Sequence, residues 1–156
     1  MDFAAPIDDR WFSDYRPGAI YEYGTVVMTE DEMLDFARRF DPQPIHIDRA
    51  YAATGPFGGL IASGWLTASV FMRLYVEHYL SRVASLASPG VDELRWPVPV
   101  RPGDSLRMRA TIIEARRSSS KPDRGVVHTR GEMLNQRDEV VLSMTAVNFL
   151  RCRPGT

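Results

Sequence analysis

From Ile61 to about Leu86 the chain carries a long helical pattern whose first half is apolar nearly all round: Ile61, Ala62, Trp65, Leu66, Ala68, Val70 and Phe71. A helix with a single apolar stripe docks on a surface, whereas one that is apolar on every side has to be surrounded. Arg73, Glu77 and Arg82 mark the half that reaches water. The most apolar window, Leu60 to Met72, is interrupted by Gly64 and falls short of the roughly 20 residues a membrane span needs. The remainder of the chain therefore has to supply the wrapping.

That remainder reads mainly as strands. Arg16-Pro17-Gly18 is a turn leading into a β-rich segment, Ala19 to Met28. Thr29, with Glu32 three residues later, has the form of a capping box opening a helix whose buried face is Met33, Phe36, Ala37 and Phe40. Pro42 ends that helix, and Asp48 is placed to cap a short one through Ala53. Asp92 to Val100, with Pro97 and Pro99, suits an edge or irregular strand. Leu106, Met108, Ala110 and Ile112 alternate with polar residues as a half-buried strand does. Val126 to Leu134 and Glu139 to Arg151 form a hairpin across Asn135 to Asp138. About five antiparallel strands around one apolar helix make an α+β fold, and 156 residues suit a single domain, 1–156.

Charge and cysteine content narrow the function. A formal net charge of -1 argues against nucleic acid, which calls for a basic excess. One cysteine, Cys152, permits no intrachain disulfide and no cysteine metal cluster. His46, His78 and His128 lack metal-ligand spacing. The acidic N-terminus is unlike a signal peptide, so a cytoplasmic protein without membrane attachment is expected. Of the 19 basic residues only Lys121 is a lysine, a skew that guanidinium chemistry and biased codon usage explain equally well.

The chemistry-bearing segment is Asp41-Pro42-Gln43-Pro44-Ile45-His46. Asp41 follows the last turn of a helix, where the dipole disfavours negative charge, so a raised proton affinity is expected. Two prolines stiffen the path to His46, and a carboxylate and imidazole held close can orient and activate water. A solvated aspartate beside a backbone-satisfied histidine is the plainer alternative. Downstream, Phe57-Gly58-Gly59-Leu60-Ile61-Ala62-Ser63-Gly64 brings a glycine loop to the start of the apolar helix. Free amides there can stabilise an oxyanion, and Gly64 would let a carbonyl approach closely. Tight packing explains the same glycines. Trp65, Phe71 and Met72 either fill the core or line a tunnel.

The stretch FARRFDPQPIHIDRAYAATGPFGGLIASGWLTASVFM, from Phe36 to Met72, resembles the hydratase motif of MaoC-like dehydratases and (R)-specific enoyl-CoA hydratases, whose pattern is Asp-x-Asn-Pro-x-His followed by a glycine-bearing helix start. RWPVPVRPGDSL and SSSKPDRGVV extend the resemblance, which runs from about Tyr21 to Arg151. It implies a hotdog fold, with Asp41 and His46 as catalytic pair and the Gly64 amide as oxyanion donor to a thioester carbonyl. Gln43 stands where the family usually has Asn, Ser63 where many relatives have His, and Met72 where one branch has Ser.

The implied reaction interconverts trans-2-enoyl-CoA and (R)-3-hydroxyacyl-CoA, with no metal or redox cofactor. Gln43, Phe57, Gly59, Ser63 and Trp65 would contact the acyl-CoA substrate, and Arg124, beside Lys121, its phosphates. Either Asp41 or His46 could protonate C2. A hotdog thioesterase and a non-catalytic acyl-thioester-binding module are the rival readings. A homodimer is expected, since pairing two copies covers the edges of a sheet wrapped on one helix; the resemblance implies sites at the subunit interface.

Overall fold

The computed structural model describes residues 2–155. Five antiparallel strands, β1 (Ile20–Val27), β2 (Gly90–Arg95), β3 (Ser105–Arg117), β4 (Arg124–Leu134) and β5 (Val140–Arg151), form one sheet in the order β1-β3-β4-β5-β2. The β4–β5 hairpin runs from Arg124↔Arg151 to Leu134↔Val140, and β3 pairs with β4 from Arg117↔Gly125 to Arg107↔Leu134. The alternation read in β3 is the pleat itself. Leu106, Met108, Ala110 and Ile112 are buried, while Arg109 on the other face pairs with Glu132 at 2.9 Å. β2 lies at the sheet edge, and Pro97 and Pro99 follow it.

The helices are α1 (Glu30–Phe40), α2 (Pro44–Ile47), α3 (Arg49–Thr54) and α4 (Gly64–Leu74), the last continued by a wider π-wound turn, Tyr75–Tyr79. Thr29 caps α1 by accepting the Glu32 amide, and Asp48 caps α3 by accepting that of Tyr51. α4 is the central helix, buried through Leu66, Val70, Phe71 and Leu74 against the strand residues of the core. The sheet meets it closely where strands carry glycine. A Cβ on Gly131 of β4 would fall 2.5 Å from the Phe71 ring, and one on Gly24 of β1 would fall 3.4 Å from Leu74 Cδ1.

Three expectations need correction. The central helix begins at Gly64 and ends by Tyr79, not spanning 61–86. Ile61 to Ser63 stay extended and buried because Ala62 N–H bonds Val100 O. The far end stops because Arg10, buried in the N-terminal segment, donates from Nη1 to the carbonyls of His78 and Tyr79 at 2.8 Å each, terminating the helix with a cation. Nor is the apolar half of the helix buried all round: Trp65 is 57% and Met72 48% exposed. On α1, Leu34 replaces Phe40 on the buried face, and Phe40 lies against the Arg39 guanidinium in solvent. Among the described residues no helix is long and apolar enough to cross a membrane.

Candidate functional site

Asp41 terminates α1, donating its backbone N–H to Ala37 O, and Pro42 prevents another turn. Gln43 N–H returns to Asp41 O at 2.8 Å, Pro44 opens α2 at its first turn, and His46 is carried into the interior on that single turn. The six-residue segment therefore folds back so that His46 Nε2 is 3.3 Å from Asp41 Oδ2. On the opposite side of the ring, His46 Nδ1 is 2.8 Å from the carbonyl of Ile61. A carbonyl only accepts, so Nδ1 carries a hydrogen and Nε2 is the nitrogen free to take or give a proton.

The carboxylate is fixed at both oxygens. Gln43 Nε2 donates to Oδ1 and Ser63 Oγ donates to Oδ2, each at 2.7 Å. Ser63 is fully buried and also caps α4 by accepting the Trp65 amide. Burial by itself would raise the proton affinity of Asp41. The two hydrogen bonds and the neighbouring His46 outweigh it and hold the carboxyl below its ordinary range. The raised affinity expected from the α1 dipole is thus reversed, because two directed donors act at contact distance whereas the dipole acts through partial charges.

Asp41, Gln43, His46, Phe57, Gly64 and Trp65 line one cavity of about 380 Å³, bringing together six of the sequence-derived site residues. Gly64 is the first residue of α4, and its amide has no acceptor among the described residues. Its missing side chain has a further reason: a Cβ there would lie 2.5 Å from Cε2 of Trp96, whose Nε1 donates to Gly64 O at 2.9 Å. Trp96 and the Pro97–Val100 segment form the opposite wall. Trp-Pro-Val-Pro, a large ring before prolines that cannot enter a ladder, is the sequence signal for this wall, which the irregular-strand expectation for 92–100 does not reveal.

Two residues lie elsewhere. Gly59, whose φ is +153°, lines a separate recess with Glu30, Arg49 and Arg101. Arg124 pairs with Asp123 at 2.9 Å in a separate cleft near Trp11 and Arg153 and shares no lining with the Asp41 cavity.

A family model described as a MaoC like domain matches residues 15–132. The chain belongs to this MaoC-like family. Among solved structures, it is similar to a MaoC-like dehydratase from Rhodospirillum rubrum, with 38% identity, a TM-score of 0.87, and coverage of 93% of this chain and 99% of that one. It is also similar to the unliganded R-hydratase PhaJ1 of Pseudomonas aeruginosa, with 26% identity, a TM-score of 0.71, and coverage of 92% and 86%. Among curated relatives, 3-hydroxyacyl-thioester dehydratase Z of Mycobacterium tuberculosis is 36% identical over 90 residues, 56% of this chain and 60% of the relative. The sheet wrapped on α4 is accordingly a MaoC-like hotdog fold.

Proposed function

We propose that this MaoC-like protein is a hydro-lyase that adds water reversibly across the C2–C3 double bond of a trans-2-enoyl-CoA thioester, giving the (R)-3-hydroxyacyl-CoA. The observation that carries this reading is the 3.3 Å Asp41–His46 pair opening on the same cavity as the unpartnered Gly64 amide. The dehydratase and R-hydratase relatives support it. In the hydration direction, water is held between Asp41 and His46. Nε2 of His46 takes a proton as the water oxygen bonds to C3, and the ionised Asp41 stabilises the imidazolium that forms. Electron density moves to the thioester oxygen, where the Gly64 N–H meets the developing negative charge. The imidazolium then returns its proton to C2, so hydrogen and hydroxyl are both delivered from one face.

The working form in this proposal is a homodimer, as the exposed Trp65 and Met72 on α4, Val76 on the turn that continues it, and the open edge of β2 call for covering. The test is a panel of enoyl-CoA esters, following loss of enoyl absorbance and, separately, release of free thiol. Loss without thiol, abolished in Asp41→Asn and His46→Ala, is expected. Thiol release would assign a thioesterase, and binding without turnover a non-catalytic acyl-thioester-binding module. A monomer mass by light scattering at assay concentration would refute the dimer.

A further inference from the structure

A second cavity, of about 220 Å³, lies between α4 and β5 and is walled by Ala68, Phe71, Met72, Leu94, Met144 and Ala146. Trp65 lines both this cavity and the Asp41 cavity, so the two meet at that residue. Ser88 also lines it, its hydroxyl bonded to the carbonyls of Gly90 and Val147, and one buried amide breaks the remaining apolar wall. Asn148 is 6% exposed, its Oδ1 accepts from the Tyr75 hydroxyl at 2.7 Å, and its Nδ2 has no acceptor among the described residues. Tyr75 is itself buried and stacked on Tyr79, whose hydroxyl is 2.7 Å from Thr129 Oγ1. The carboxamide is therefore held with its N–H donors toward the cavity.

We propose that this cavity receives the acyl chain of the thioester and that Asn148 is a specificity residue donating to an uncharged oxygen, a keto or hydroxyl group, on the distal part of that chain. The inference rests on the thioester reading of the Asp41 site and deepens it. An alkyl tail would leave a desolvated donor unpaired, which costs about 1–3 kcal/mol. Sites built to hydrogen-bond a substrate group discriminate strongly against analogues lacking it. The lining residues carry no charge, so a carboxylate would be buried without a counter-ion. Tyr75 follows Gly64 by three helical turns, roughly 16 Å along the axis, and helical side chains lean toward the N-terminus. Asn148 therefore meets the chain well beyond C3. A second copy of the protein seated over Trp65 and Met72 would close the mouth of the cavity.

Calorimetry with saturated acyl-CoA thioesters, which cannot be hydrated, tests the inference apart from catalysis. Pairs of equal chain length are compared, one with an alkyl tail and one with a distal keto or hydroxyl group. The oxygenated member is expected to bind the wild type about tenfold tighter, 1.4 kcal/mol. Asn148→Leu abolishes that preference, and Asn148→Asp, which lacks the donor, abolishes it for the keto compound. Ala68→Leu, away from the polar network, fills the cavity and weakens every long tail while sparing short ones. Equal binding of the paired tails by the wild type, as a trapped water on Asn148 would give, overturns the proposal. So does a preference that survives Asn148→Leu, or no thioester binding at all. Hydration of a short enoyl-CoA that cannot reach Asn148 is scored separately. Its failure refutes the hydratase reading, whereas its success without tail discrimination refutes only this inference.

Discussion

The Ser63 hydroxyl both caps α4 and bonds the carboxylate of the proposed reacting pair, and Ser63→Ala removes both contacts. The hydroxyl donates to Asp41 Oδ2 at 2.7 Å from a fully buried position and also accepts the Trp65 amide at 3.3 Å. A hydrogen bond to a charged group contributes about 1.5–3 kcal/mol, and losing an N-cap costs about 0.5–2 kcal/mol. The Asp41 bond, being charge-assisted and shorter, dominates. Its loss removes one of the two donors that oppose burial at Asp41, so the carboxyl rises toward protonation. Each 1.36 kcal/mol of lost differential stabilisation moves a pKa by about one unit. Carbon-detected NMR titration of the Asp41 carboxyl should therefore move up by at least about one pH unit. The titration is read on the carboxyl itself because the proposed mechanism also needs His46 unprotonated, so an activity profile would not isolate Asp41. A titration unmoved in a folded Ser63→Ala protein would refute the claim that Ser63 tunes Asp41.

Three further outcomes follow from the same structure. Because the folded pKa of Asp41 is depressed, its contribution to stability is present above the unfolded value near 3.9 and is lost as pH falls through the lower folded value; Asp41→Asn should flatten the acid limb of urea-melt stability, and an unchanged limb counts against the direction given. Gly64→Ala places a Cβ 2.5 Å from Trp96, so kcat/KM should fall at least about tenfold, 1.4 kcal/mol of transition-state stabilisation, with a shifted tryptophan emission; wild-type activity and emission together would refute the packing. Gly131→Ala drives a methyl into the Phe71 ring at 2.5 Å and should cost about 1–3 kcal/mol in chemical denaturation; a neutral result would mean that α4 does not lie on β4 as described.

What could be read from residues alone was local in origin. Periodicity of 2 in β3, the caps at Thr29 and Asp48, and prolines stiffening Asp41 to His46 depend on near neighbours. These sufficed for an α+β sheet around an apolar helix and for a paired carboxylate and imidazole. The resemblance added the hotdog arrangement and favoured, for Gly64, the oxyanion reading over packing alone. What failed was set by partners far along the chain. The central helix ends where Arg10 meets carbonyls 68 and 69 residues away. Phe40 is exposed because helical spacing alone does not say how wide the covered face is. The acidity of Asp41 was misjudged because the helix dipole shows neither of its two donors: Gln43, two residues on, folds back to one oxygen, and Ser63, 22 residues distant, reaches the other. Trp96 reaches Gly64 across 32 residues, and Asn148 meets Tyr75 across 73. Sequence by itself determined which segments become strands and helices and which six residues hold the proposed reacting pair, since those follow from short-range sterics and patterning. Only the tertiary structure decided the hydrogen bonds on the Asp41 carboxyl, the tryptophan wall and the polar end of the second cavity, because these depend on which distant groups the fold brings within about 3 Å.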